Sequence, residues 1–234
     1  MKEIFDDIRR LYIFRESCHE LKEYIDFFPK PARSCRSPLY LLMVLNSEKP
    51  DVDLRIRNAK PDEYNAIGKL MVRVYSLLEG FPSPEEQPEY YKMLANIGDL
   101  TLTPDTELLV AVSADDKIAG GLVYFKDMKY YGSGGSATRE VNAAGFRLLA
   151  VDPAYQGQGI GKKLVKECIN KSRSQGLNQL ILHTTQSMKT AWKMYENLGF
   201  KPSEDLDFER PNLKVYGFRL ILSTFVSEAT TETG

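Results

Sequence analysis

Residues 148–163 read LLAVDPAYQGQGIGKK, and the reading of this stretch decides the fold. An apolar run ends at Val151, Asp152-Pro153 breaks it, and a glycine-rich turn follows. The spacing then opens a helix predicted over 159–175, closed by Gly176. Glycines at 157, 159 and 161 remove Cβ atoms where successive backbone N–H groups can converge on one spot. A helix start also leaves unpaired N–H donors and a partial positive charge, which suits a phosphate. Lys162 and Lys163 fall in the first turn, where cations normally cost about 0.3–1 kcal/mol, and no Asp or Glu offsets them there. A bound polyanion would reverse that sign; a plain helix start with packing glycines and two solvated lysines is the alternative.

Two common phosphate loops are excluded. Counting back five positions from Gly161 reaches Gln156, and Lys162 is followed by Lys163 rather than Ser or Thr, so the nucleotide P-loop pattern fails. The dinucleotide pattern G-x-G-x-x-G is out of phase with Gly159-Ile160-Gly161.

Outward from this stretch, regular elements alternate. Strands are predicted at Leu54–Arg57, Glu107–Val112, Ile118–Phe125 and Phe146–Val151, with Gln179–His183 a buried strand and Leu213–Leu222 a last one. Helical stripes run from Pro61 to Leu78, Pro88 to Ile97 and Ser187 to Leu198. A long polar segment, Asp127–Asn142, contains Gly132-Ser133-Gly134-Gly135-Ser136. It reads either as a lid or as a slack connector. The mixture is α/β or α+β, with one strand–loop–helix unit at its centre.

Residues 1–28 carry an amphipathic helical pattern, 29–38 form a basic, proline-punctuated connector, and Leu39–Leu45 reads as a short strand. The expected organisation is an N-terminal helical extension (1–50), a main domain (51–222) and a polar tail (223–234). The extension either packs on the main domain or supports a homodimer.

Lys and Arg total 31 against 32 Asp and Glu, so no global field draws nucleic acid or an anionic membrane. Hydrophobic residues make up 43%, enough for a globular core. Cys18, Cys35 and Cys168 are far apart and odd in number, showing neither metal spacing nor a disulfide framework. No segment approaches the roughly 20 apolar residues of a membrane span, and MKEIFDDIRR lacks the apolar part of a secretory signal. The expected setting is cytoplasmic.

The run Gln156-Gly157-Gln158-Gly159-Ile160-Gly161 resembles the pyrophosphate loop of the GNAT acetyltransferase superfamily, Q/R-x-x-G-x-G/A, placed as there between a strand and a helix. A second family segment follows in order: LILHT, then AWKMYENLGF with Tyr195 and Gly199-Phe200. The resemblance covers residues 53–222. It implies a central, mixed but mostly antiparallel sheet, splayed at the cofactor site and flanked by helices.

It further implies that acetyl-coenzyme A lies in the gap as co-substrate, its pantetheine along Leu149, Ala150 and Val151 and its pyrophosphate on Gln156, Gly157, Gln158, Gly159, Ile160, Gly161 and Lys162. No metal is called for. Backbone N–H near Leu149 could polarise the thioester carbonyl. Tyr195 matches the family's general acid, although Met188, Ala191, Trp192, Tyr195 and Leu198 share one helical face, so it could be core alone. Many relatives carry a glutamate base where this chain has Gly145. Glu140 and His183 are the candidates to replace it, against a solvated loop charge and a hydrogen-bonded strand-end histidine. The acceptor is an unidentified amine. Segments 77–91 and 127–142 are expected to select it, and Glu79, Glu85 and Glu86 could attract a cation. The competing reading is a GNAT-fold module that binds acyl-coenzyme A or a partner without catalysis.

Overall fold

The computed structural model describes residues 54–211 and 213–222. The helical pattern of 1–28, the strand expected at 39–45, Cys18, Cys35 and the tail 223–234 lie outside the described residues. The chain divides after Pro50 into two units, and all described residues belong to the second.

Eight strands form one sheet: β1 (Leu54–Asn58), β2 (Thr106–Ser113), β3 (Ile118–Phe125), β4 (Ala143–Val151), β5 (Gln179–Thr184), β6 (Lys201–Pro202), β7 (Phe208–Arg210) and β8 (Leu213–Ile221). Their order is β1-β2-β3-β4-β5-β8-β6, with β7 paired to β8 beside it. Every pairing is antiparallel except β4 with β5. Among the described residues, four helices cover the faces: α1 (Tyr64–Ser76), α2 (Pro88–Ala95), α3 (Ile160–Ser174) and α4 (Lys189–Asn197).

The burial pattern explains the layering. Ile67, Leu70, Met71 and Tyr75 of α1 and Leu94 of α2 pack with Val110, Val112 and Val123 on one face. Leu164, Val165 and Cys168 of α3 and Tyr195 of α4 pack with Leu109, Ala111 and Leu122 on the other. Alternate strand residues thus feed two cores, as a period of two requires. No helix among the described residues is long and apolar enough to cross a membrane.

The larger departures from the expected elements are at β4, at β6 and β7, and in the segment 127–142. β4 begins at Ala143, three residues before Phe146, because Ala143-Ala144-Gly145 carries no strand signal and is ordered by its neighbours. The short β6 and β7 have no sequence signature and exist as partners of β8. The segment 127–142 is compact, holding two single 3-10 turns at Met128–Tyr130 and Ala137–Arg139.

One topological feature shapes the functional region. β4 and β5 pair in parallel only from Ala143 with Gln179 to Gly145 with Ile181. Beyond this, β4 continues on β3 to Val151 while β5 continues on β8 to Thr184, and the two part. A bulge accompanies the parting. Val123 faces Arg147 and Gly121 faces Ala150, so two β4 residues stand opposite Leu122, and Leu148 takes φ +60°. A bulge bends its strand, and here it turns β4 away from β5.

Candidate functional site

The parted strands open into a cleft of about 810 Å³. One end is built from the stretch that opened the sequence reading. Asp152 caps the 3-10 turn after β4 by accepting from the Ala154 N–H at 2.9 Å, and its other oxygen takes Arg73 of α1 at 2.5 Å. Gly157 and Gly159 hold φ of +77° and +73°, the left-handed region that only glycine enters cheaply. Gly159 caps α3 without any side chain, and a Cβ built there would meet nothing within 4 Å. The first-turn donors of α3 therefore receive no side-chain cap, and Lys162 stands beside them. This end borders a smaller cavity lined by Lys162, Lys189 and Lys193. Uncapped N–H groups, a bare glycine cap and lysines suit a pyrophosphate.

Of the residues expected at the cofactor, Leu149, Val151, Gln156, Gly157, Gly159, Ile160, Gly161 and Lys162 line this cleft. Ala150 and Gln158 do not. Ala150 is 1% exposed and pairs with Gly121, its side chain alternating to the opposite face. Gln158 keeps a buried Oε1 without a hydrogen-bond partner. Thr184 and Thr185, which sequence reasoning missed, also line the cleft and bury Oγ1 atoms without partners.

Tyr195 lines the middle of the cleft from α4 and is 4% exposed. Its ring packs edge-on to Phe146 at 5.8 Å and to Phe200 at 6.0 Å. Its hydroxyl has no hydrogen-bond partner among the described residues. Burial pushes the phenol well above its ordinary pKa, so it holds its proton through neutral pH.

The structure does not bring Glu140 to this cleft. Its carboxylate meets Arg219 at 3.1 Å and accepts from Gln179 Nε2 at 2.9 Å. His183 does line the cleft, but both ring nitrogens are engaged. Nε2 lies 2.9 Å from the Leu206 carbonyl, which can only accept, so Nε2 carries the proton. Nδ1 then offers its single lone pair to the hydroxyls of Ser133 at 3.1 Å and Tyr131 at 3.2 Å, which share it. Burial lowers the pKa of this imidazole and keeps it neutral.

Gly145, where many GNAT relatives carry a glutamate, has no room for a side chain. A Cβ there would stand 2.6 Å from the Tyr131 ring and 2.8 Å from Met128 Sδ. Tyr131 fills that space and is fully buried. The glycine–serine segment is pinned rather than slack. Gly132, Gly134 and Gly135 take positive φ, Gly134 and Gly135 lie against Phe208, and Ser136 donates to the Asp205 carbonyl at 2.6 Å.

Residues 71–200 match the family model described as acetyltransferase (GNAT) family. The chain belongs to the GNAT acetyltransferase family. Two curated relatives match over shorter stretches. The [ribosomal protein bS18]-alanine N-acetyltransferase of Haemophilus ducreyi is 46% identical over 52 residues, 22% of this chain and 36% of that protein. The mycothiol acetyltransferase of Streptosporangium roseum is 34% identical over 79 residues, 34% of this chain and 23% of that protein. The chain thus spans about a third or less of the length of these curated relatives.

Solved GNAT structures share the fold. An acetyltransferase of the GNAT family from Staphylococcus aureus Mu50 superposes with a TM-score of 0.56 at 18% identity, over 73% of this chain and 99% of that one. A Salmonella typhimurium protein solved with its cofactor acetyl-CoA gives 0.50 at 17% identity, over 74% and 96%.

Proposed function

We propose that this GNAT protein is an N-acetyltransferase that moves an acetyl group from acetyl-coenzyme A to a primary amine by direct attack. The observation that carries this reading is one cleft, opened where β4 leaves β5, with an uncapped glycine-rich helix start at one end and a lining that includes Tyr195, whose hydroxyl has no hydrogen-bond partner among the described residues. Family membership adds the reaction type.

The co-substrate supplies the activated acetyl group. The N–H groups from Gly157 to Lys162 bind its pyrophosphate, the Gln156 N–H being given to the Pro153 carbonyl at 3.3 Å, and the edge of β4 at Leu149 and Val151 lies along its pantetheine. In the transfer, the amine nitrogen forms a bond to the acetyl carbon and the carbon–sulfur bond breaks. The sulfur takes the Tyr195 proton, the nitrogen loses one to solvent, and the tyrosinate regains one from solvent. Glu140, tied to Arg219 away from the cleft, and His183, with both nitrogens engaged, were the residues weighed as base; we assign that role to neither. A thiol with a pKa near 8.5 leaves fairly readily, so the acid contributes modestly.

The test is calorimetric titration of the full chain with acetyl-coenzyme A beside a Gly159→Glu variant, followed by thiol release with an amine panel. The glutamate places a carboxylate in open space at the helix start. Loss of binding there, with wild-type binding and turnover, supports the reading. Wild-type binding without turnover of any amine favours a binding module instead, and no binding overturns both.

A further inference from the structure

Resting on the N-acetyltransferase reading, we propose that the acceptor is an amino-acid-like amine, its carboxylate held by Arg147 and Arg210 and its body laid on the wall of Tyr75, Phe81 and Tyr90. All five residues line the main cleft. The two arginines, with Tyr90, also line an adjoining cavity of about 530 Å³, which shares no residue with the lysine-lined cavity at the glycine loop. The arginines therefore mark the end of the cleft away from the expected pyrophosphate.

Arg147 reaches the cleft from β4 and donates through Nη1 to the Tyr131 carbonyl at 2.7 Å. Arg210 comes from β7 and donates through Nη2 to the Ser133 carbonyl at 2.8 Å. Neither meets a carboxylate among the described residues, whereas Arg57, Arg73 and Arg219 each do. The carbonyls fix both guanidiniums in place and leave donors to spare, which is the arrangement that binds a carboxylate.

Charge at this end has one sign. Among the described residues no Asp or Glu lines the main cleft. The adjoining cavity has only Glu89, whose side chain is 86% exposed and faces Lys92 at 3.8 Å. Glu79, Glu85 and Glu86, which suggested a cationic acceptor from sequence, do not line either cavity; Glu86 accepts from the Ser83 N–H at 2.7 Å. Burial raises the Tyr90 phenol to about 12 against the opposing pull of Arg147 and Arg210, so both cations act on one spot. A polyamine would meet repulsion here. The aromatic rings pack on one another at 5.6–6.0 Å and give an apolar wall for the rest of the molecule.

The experiment measures thiol release from acetyl-coenzyme A by the full chain with the L-amino acids, their α-carboxamides and spermidine. At least one amino acid is expected to turn over, with its carboxamide about 10–100-fold lower in kcat/KM, the effect of a lost charged hydrogen-bond partner. Arg210→Gln, at an exposed position, is expected to raise KM for the amino acid by a similar factor, to remove the preference over the carboxamide and to leave acetyl-coenzyme A binding intact. Spermidine or carboxamides used as well as the amino acids would overturn the proposal. So would acetyl-coenzyme A binding with no amino acid accepted. Failure to bind acetyl-coenzyme A would instead overturn the underlying N-acetyltransferase reading, so the two failures are distinguishable.

Discussion

At Tyr195 the sequence left two readings open, a general acid or a plain core residue, and the structure gives the ring a packed position on the lining of the cleft. The ring is packed among Phe146 and Phe200, while the hydroxyl is left for whatever enters the cleft. Tyr195→Phe therefore removes no internal hydrogen bond and is expected to keep its stability. Turnover should fall toward the lower part of the ~10²–10⁴-fold range for acid–base groups, with KM for acetyl-coenzyme A little changed. Steady-state kinetics of the variant checks this, and unchanged kcat would end the assignment. A second residue sets a pH effect. Arg57 hydrogen-bonds Glu63 through two contacts of 2.6 and 2.7 Å, against the cost of burial, and holds its pKa at about 2. A carboxylate lowered in the folded state contributes stability that is fully present above its ordinary value and lost as pH falls through about 2. Denaturation measured between pH 5 and 2 is expected to show a steeper loss for the wild type than for Glu63→Gln.

At the scale of the element, β4 carries the largest departure from the family pattern. Gly145 marks the last pair between β4 and β5, and the Tyr131 ring lies where a side chain would project. Restoring the common glutamate by Gly145→Glu would force that ring and Met128 aside, and overpacking of a tight core costs roughly 1–3 kcal/mol. Thermal unfolding is expected to show this loss, and the losses to combine less than additively when Tyr131→Ala is added. A single variant as stable as wild type would mean the ring yields easily. The absence of a glutamate at 145 was legible in the sequence. Its replacement by a buried tyrosine fourteen residues earlier was not, because the approach is made by a segment with no regular pattern. The same holds for Arg210: β7 has three residues and forms only against β8, so no periodicity could place its side chain in the cleft.

Among the described residues, two cores lie on opposite faces of one sheet, and all of these residues belong to the second unit of the chain. A fragment of residues 51–234 is expected to unfold in one cooperative transition and to bind acetyl-coenzyme A as the full chain does. Denaturant titration followed by two probes, with calorimetry, checks it. Divergent probes or lost binding would give residues 1–50 a part in the fold or the site. That segment, and the homodimer weighed for it, stay outside the described residues.

By itself the sequence determined the glycine-rich helix start and the order of the main strands and helices, while only its resemblance to the GNAT family marked Tyr195 as a candidate acid. These are local matters, set by backbone freedom at glycine, by side-chain period and by motif spacing within a few tens of residues. Tertiary structure alone decided where β4 parts from β5, that Glu140 turns to Arg219, that His183 has both nitrogens engaged, and that two arginines without carboxylate partners among the described residues line one cleft with Tyr75, Phe81 and Tyr90. Each of these depends on groups distant in the chain meeting in space, and burial, charge pairing and steric room are properties of that meeting rather than of any residue.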